Sequence, residues 1–528
     1  MSKIGLFIPP AYDRNVPPLG TPSLVGFLKA RGIQAEQHDL NLRYFDHLGI
    51  KRINRLFSEE YRDEKIREKV YYRAILQYEK LQQPFSYEFE NNPGSSFAFT
   101  EKILSSQILF RYLADEEENP FVPFFASEVL PLVQENRYDM VGFSITAPSQ
   151  VMAGFTFGFL LKKAAPQIKI VIGGQWVSFY REALQKRKEF LGLYDFMIIF
   201  EGETPLYRLI NAVEKAGPLS EVPNLIYGER GRWKKSKTIC DEDMNSLPPS
   251  DFKGLPLRKY QHSRKGITLT METSRGCYWN RCIFCIDLPL PKPRYREKAP
   301  DLVIRDMKTL VRQYGAKHLL ISNATFSPWQ MKEVAERILA EGVKVTWWTM
   351  ARFDEGFDRE TLMLAQQAGC DMIGFGLESI NHRVLDFIDK GTRVDVIKRI
   401  IQDAHDLQLG IYFQTMVGLP SETVEEALDT IGFLAGSSYA VNRESAFNIY
   451  YLIPKNRVFL NPERYGIRIS PHQRLPFRYF YPFQHLTGTI DKPMARKLIH
   501  IHASMIHEKT SPSGGSDTHV ESGAASHE

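Results

Sequence analysis

Three of the five cysteines in this 528-residue chain fall within nine consecutive positions, at Cys277, Cys282 and Cys285. A disulfide framework distributes its cysteines along a chain, so thiols gathered this closely point to metal binding or catalysis. Thiolates are soft ligands, and three of them suit an iron–sulfur cluster of the 4Fe-4S type, leaving one iron open. A structural zinc ion takes four protein ligands, and no nearby His or fourth Cys completes a zinc spacing. Zinc and coincident buried thiols are the competing readings. Cys240 and Cys370 read as ordinary free thiols, and no catalytic side chain is expected beyond the three ligands.

The elements that must position these thiols follow from the apolar pattern. Ile267 to Met271 reads as a strand, which sets the cysteines on a loop at its C-terminal end, the face where α/β barrels carry catalytic loops. Further strands are expected at His318 to Ser322, Val345 to Thr349, Met372 to Phe375, Ile411 to Met416 and Phe447 to Tyr451. Helical segments separate them. In Leu302 to Tyr314, for example, Val303, Met307, Leu310 and Val311 share one face and Asp301 stands at the N-cap position. The spacing predicts a partial (β/α)6 barrel over residues 261–455.

The amino-terminal part shows a second alternating series: strands at Ile4 to Ile8, Met140 to Ile145, Ile168 to Ile172 and Phe196 to Phe200, with helices at Ser23 to Ala30, closed by Gly32, and Ala153 to Ala164. Alternation of this kind predicts an α/β fold with a parallel, Rossmann-like sheet over 1–225. A charged, aromatic stretch at about 43–119, with a helix through Glu59 to Leu81, reads as a helical insertion. Residues 226–260 read as a connector with one hairpin, 456–508 as a small C-terminal cap region rich in aromatic and basic residues (Phe477, Arg478, Tyr481), and 509–528 as a disordered tail.

The net charge of +5 arises from 67 basic and 62 acidic residues without a concentrated basic face, which gives no support to nucleic-acid binding. No apolar run approaches the roughly 18 residues of a membrane span, and the first residues lack a signal peptide's apolar region and cleavage site. A cytoplasmic protein is expected.

The run Glu272-Thr-Ser-Arg-Gly-Cys277-Tyr-Trp-Asn-Arg-Cys282-Ile-Phe-Cys285 resembles the cluster loop of radical S-adenosylmethionine (radical SAM) enzymes, through Arg-Gly-Cys, the aromatic pair and the Phe before the third Cys. The resemblance implies a 4Fe-4S cluster on Cys277, Cys282 and Cys285 whose open iron takes the amino and carboxylate groups of S-adenosyl-L-methionine. Four residues separate the first two cysteines where three are common, and the spacing reads as a tolerated variant. The resemblance extends over about Ile267 to Tyr451. Ala368-Gly-Cys-Asp-Met-Ile-Gly-Phe-Gly-Leu-Glu378 is similar to a segment in which the Glu contacts bound S-adenosylmethionine, with a surface cap as the alternative. Gly418-Leu-Pro-Ser-Glu-Thr423 resembles a turn into a helix, with Ser421 as its cap. Asn323, Arg352 and Gln414, beside Thr415, are candidate S-adenosylmethionine contacts, against plain packing or solvation.

Pro17-Pro-Leu-Gly20-Thr-Pro22, Gly142-Phe-Ser144-Ile-Thr146, Gly173-Gly174 and Glu201-Gly202-Glu203 resemble, in order and spacing, the cobalamin-binding domain attached to the class B radical SAM methyltransferases. Ser144, Thr146, Gly173, Gly174 and Gln175 would line the pocket for the cobalamin tail. The Asp-x-His-x-x-Gly motif that supplies an axial His elsewhere is absent, and a flavodoxin-like domain without cofactor is the alternative. The activity implied is cobalamin-dependent methylation of an unactivated carbon through a 5′-deoxyadenosyl radical. The substrate would be a small molecule or peptide, and the electron would come from an external donor such as flavodoxin or ferredoxin. The alternatives are a radical rearrangement, ring contraction or cyclisation without methyl transfer, and a non-catalytic iron–sulfur or cobalamin-binding sensor.

Overall fold

The computed structural model describes residues 3–10, 12–47, 106–113, 119–262, 266–286, 295–437, 446–469, 477–478, 480–486 and 490–510. The expected helix through Glu59 to Leu81 and the terminal tail from 511 onward lie outside the described residues. Among the described residues no helix is long and apolar enough to cross a membrane.

The first sheet contains β1 (Lys3–Ile8), β2 (Gln34–Asp39), β3 (Met140–Ser144), β4 (Lys169–Gly173), β5 (Phe196–Ile198), β6 (Leu225–Glu229) and β7 (Arg232–Lys235) in the order β2-β1-β3-β4-β5-β6-β7. Strands β1 to β5 pair in parallel. Because side chains alternate across a strand, Phe7, Val141, Phe143, Ile170 and Ile172 enter one core, and Ile4, Leu6, Met140 and Val171 enter the other. Burial on both faces is what the continuous aliphatic runs require. The chain reverses strand order between β1 and β3, the place where open α/β sheets bind ligands at their carboxyl edge.

Two features of this sheet differ from the sequence reading. Strand β2 (QAEQHD) has no apolar period, yet Gln37 and Asp39 are buried in it. Gln37 Nε2 donates to the carbonyls of Asp251 (2.6 Å) and Lys253 (3.1 Å), and Asp39 accepts from the hydroxyl of Tyr260. The connector thus pairs with polar groups of the strand, a match the strand's own residues cannot announce. The hairpin expected within the connector is β6 and β7, which add antiparallel to β5, so the first sheet runs to Lys235 and not 225.

The second sheet is a curled, wholly parallel half-barrel. Its strands are β8 (Ile267–Met271), β11 (Ala316–Ile321), β12 (Thr346–Arg352), β13 (Cys370–Glu378), β14 (Gly410–Val417) and β15 (Ala446–Ile449), in the order β15-β14-β13-β12-β11-β8. A two-residue pair, β9 (Ser274–Arg275) with β10 (Arg296–Glu297), brackets the cysteine loop. Outward residues such as Leu319, Ile321, Trp347, Ile373, Phe375, Ile411 and Phe413 pack under helices Pro300–Tyr314, Pro328–Ala340, Arg359–Gln367, Val394–Asp406 and Val424–Gly436. The barrel fold therefore agrees with the strand and helix periods.

The cap region forms a helix, Lys492–Thr510, whose Ala495 and Leu498 join the barrel core. Phe477 packs on Trp176, Tyr180 and Phe190 of the first domain, tying the cap to it. Two expected helix caps are corrected. The helix beginning at Pro300 has Ala299 at its N-cap, and Asp301, inside the first turn, pairs with Arg337 at 2.6 Å. Ser421 does not cap a helix: it holds a left-handed φ of 64°, and Thr423 forms a capping box with Glu426.

Beside that turn Glu422 is 1% exposed, and its Oε2 accepts from the amides of Gly418 (2.7 Å) and Leu419 (3.1 Å). Burial pushes its carboxyl up to about 7. With the folded value above the unfolded one, the folded state retains a proton that the unfolded chain releases. Stability should therefore fall as pH rises from about 4.5 to about 7, by on the order of 3 kcal/mol, and then level off. Glu422→Gln should flatten this slope in urea unfolding at pH 5 and pH 8. An unchanged slope would remove Glu422 as its source.

Candidate active site

The cysteine loop is built against two neighbouring segments. Ile283 N donates to Ile388 O at 3.0 Å, and Ile283 packs with Val384, Ile388, Leu419 and Val458. The Asn456 amide donates to Phe284 O at 3.0 Å. Trp279 packs against Gly391, where an added Cβ would come within 1.9 Å of the indole, and donates its N–H to Asp389 O at 2.7 Å. Cys277 and Cys282 are half-buried and Cys285 is exposed. Burial raises the Cys282 thiol, while Lys390 and Arg352 work in the opposite direction. Among the described residues no three His, Cys, Asp or Glu side chains converge as on a single ion. Cys370 begins β13 at the opposite end of the strand from Glu378, and Cys240 lies beside Glu242.

Glu378 ends β13 with a left-handed φ of 61°, immediately after a register shift against β14. A non-glycine residue in that region stores strain that the surroundings must hold. They do so through Lys390, whose Nζ lies 2.8 Å from Glu378 Oε1, with both side chains under 10% exposed. Gly376 makes room: a Cβ there would lie 2.8 Å from both charged atoms. Burial lowers the Lys390 ammonium, but the carboxylate beside it more than compensates and raises it.

The other sequence-derived contacts divide. Arg352 is buried with its guanidinium 4.2 Å from the Trp279 ring, and it donates to Lys390 O. It therefore braces the cysteine loop from beneath. Asn323 lines the interdomain cavity, yet its side chain is spent on the loop after β8, accepting from Thr273 N (2.9 Å) and donating to Thr273 Oγ1 (2.7 Å). Gln414 is exposed on β14, and the adjacent Thr415 is buried with its hydroxyl unpartnered among the described residues. The structure brings Glu378 and Arg352 to the cysteine loop, through Lys390 and Trp279, and Asn323 to the cavity behind it.

That cavity, of about 490 Å³, lies between the carboxyl edges of the two sheets. Ser144, Thr146, Gly173, Gly174 and Gln175 all line it, facing Glu272, Ser274, Arg275 and Gly276 from the other domain. At Gly174 on its wall φ is 104°, and a Cβ would stand 2.4 Å from Ile145 O. Gly174→Ala should cost at least about 2 kcal/mol. Thermal unfolding measures it, and an unchanged Tm would contradict the steric argument. On the same wall Thr21 is 1% exposed with no partner for its hydroxyl among the described residues. An orphaned buried hydroxyl in a cradle of glycines fits a bulky ligand rich in hydrogen-bonding groups.

Sequence reasoning did not find the ionic cluster on the cavity floor. The Glu201-Gly202-Glu203 turn meets Arg275, two residues before Cys277, with Arg275 Nη2 2.6 Å from Glu203 Oε1 and Nη1 3.2 Å from Glu201 Oε2. Burial raises the Glu203 carboxyl, but Arg275 outweighs it and holds the group at about 2. Lys390 was missed too. The only signal for Arg275 was its place inside a motif noted for other residues, and Lys390 lay in no noted motif.

Residues 271–434 match the family model of the radical SAM superfamily. The barrel is a radical SAM domain. An uncharacterized methyltransferase of Pyrococcus horikoshii is 26% identical to the chain over 310 residues, 58% of this chain and 66% of that relative's length. Two solved structures share the fold of the radical SAM domain together with the amino-terminal sheet. The radical SAM methyltransferase TsrM from Kitasatospora setae, solved with cobalamin and a 4Fe-4S cluster bound, superposes with a TM-score of 0.61 at 15% identity, covering 97% of this chain and 92% of that one. The cobalamin-dependent enzyme OxsB, solved with aqua-cobalamin and S-adenosylmethionine, superposes with a TM-score of 0.64 at 14% identity, covering 95% of this chain and 66% of that one.

Proposed function

We propose that the chain is a cobalamin-dependent radical SAM methyltransferase acting on an unactivated carbon of a small molecule. The observation that carries this reading is the single cavity whose walls come from the ligand-binding edge of the first sheet and from the residues leading into the cysteine loop. Cys277, Cys282 and Cys285 would hold the 4Fe-4S cluster, Glu378 would meet S-adenosylmethionine beside it, and Thr21, Ser144, Thr146, Gly173, Gly174 and Gln175 would hold cobalamin. When bound, these groups supply one-electron cleavage of a sulfonium and a transferable methyl group.

The chain's own contribution is placement. Lys390 holds Glu378 in its strained conformation, so the carboxylate is presented without reorganisation. Arg352, stacked under Trp279, keeps the cysteine loop from collapsing onto the barrel floor. The cap is fastened to the first domain through Phe477 and to the cysteine loop through Asn456. An external one-electron donor is required by the chemistry.

Anaerobic reconstitution followed by iron, sulfide and corrinoid counts, then incubation with reductant and S-adenosylmethionine, tests the reading. Both 5′-deoxyadenosine and S-adenosylhomocysteine should form. The first product alone would favour rearrangement or cyclisation, and neither would favour a sensor.

A further inference from the structure

We infer that Arg275 is a positioning residue through which the Glu201-Gly202-Glu203 turn sets the start of the cysteine loop, so that a corrinoid in the interdomain cavity strengthens S-adenosylmethionine binding at the cluster. This rests on the proposed function and specifies how its two halves are joined.

The contacts of Arg275 leave little freedom. Its Nη2 reaches Glu203 Oε1 at 2.6 Å and Glu272 Oε1 at 2.5 Å, its Nη1 reaches Glu201 Oε2 at 3.2 Å and Glu203 Oε2 at 3.3 Å, and its Nε donates to Glu272 Oε1 at 3.0 Å. All three guanidinium nitrogens are committed. Arg296, on the strand paired with the one carrying Arg275, clamps Glu201 from the other side and donates to Glu242 O at 2.6 Å. Ser23 Oγ donates to Glu203 Oε1 at 2.9 Å, which ties the cluster to helix Gly20–Lys29, whose first residues line the cavity. The side chains of Arg275, Glu201 and Glu203 are 12%, 6% and 5% exposed.

A planar fork with several buried carboxylates permits few arrangements, because each rotation strands a charge without a partner. A point charge such as an ammonium would allow many more. Only Gly276 separates Arg275 from Cys277, so the fork's orientation is passed to the first ligand through one intervening residue. A purely structural fastener would be indifferent to the cavity. Here Glu201, Glu203, Glu272 and Arg275 themselves form part of the cavity wall. A ligand that packs on that wall favours the fully paired arrangement, and by linkage it strengthens whatever binds on the loop that the arrangement fixes.

The test is equilibrium dialysis of labelled S-adenosylmethionine against the reconstituted full-length protein, with and without hydroxocobalamin. In the native protein hydroxocobalamin should tighten binding at least about fivefold, the lower range for coupled sites. In Glu203→Gln the ratio should fall toward one. Arg275→Lys, which keeps the charge and loses the fork, should lower it as well, and it serves if Glu203→Gln does not fold. A native ratio near one, or an iron-loaded variant that retains the native ratio, overturns the inference and leaves the proposed function standing. A native protein that takes up no corrinoid or no iron removes both.

Discussion

Cys277→Ala, Cys282→Ala and Cys285→Ala should each reduce reductive cleavage of S-adenosylmethionine to background, with 5′-deoxyadenosine undetectable. The reason is specific to the loop. A cubane held by three thiolates already leaves one iron without a protein ligand, and loss of a further thiolate leaves two adjacent corners exposed to solvent and oxidation. The loop should survive the change, because its anchors are Trp279 against Gly391, Ile283 on Ile388 and Asn456 on Phe284, none of which is a thiol. Thermal unfolding of the metal-free variants should therefore match that of the metal-free native protein within about 1 kcal/mol, the size expected of a partly exposed substitution. Iron content near the native value in any one of the three would show that the residue is not a ligand.

The second large effect lies at Lys390. Replacing it by Met leaves Glu378 buried without its counter-charge and at a backbone angle that the ion pair stabilises. Breaking a buried pair from one side costs about 3–5 kcal/mol. Removing both charges should cost less than removing one, since the stranded carboxylate is then gone as well. Lys390→Met should thus be less stable in urea than Lys390→Met combined with Glu378→Gln. Both variants should lose affinity for S-adenosylmethionine, because Glu378 is displaced in one and neutral in the other. Additive stability losses would mean that the two side chains do not support each other, whatever their separation of 2.8 Å.

These residues show where the limits of sequence reading lie. Cys277, Cys282 and Cys285 stand out as candidates because ligand chemistry demands one residue type at close spacing, and local spacing is what a sequence contains. The barrel strands are legible for a related reason: β-branched and aliphatic runs between amphipathic segments are the local cost of burying a parallel sheet on both faces. Strand β2 is not, because its buried Gln37 and Asp39 find partners more than two hundred positions away. Ser421 and Asp301 illustrate a finer limit, since capping depends on the dihedral angle at which the chain enters the helix, and neighbouring polar residues offer several candidates for one position.

The sequence by itself determined which side chains could ligate a cluster, which two α/β units would form and in what order, and which small and hydroxyl residues end the first unit's strands. Tertiary structure alone decided that the edges of those two units share one cavity, that Lys390 pairs with Glu378, and that Arg275 joins Glu201 and Glu203 two residues before Cys277. The physical reason is range. Backbone periodicity and ligand type are properties of neighbouring residues, whereas the pairing of buried charges depends on which distant segments the hydrophobic cores bring together, and only the folded chain makes that choice.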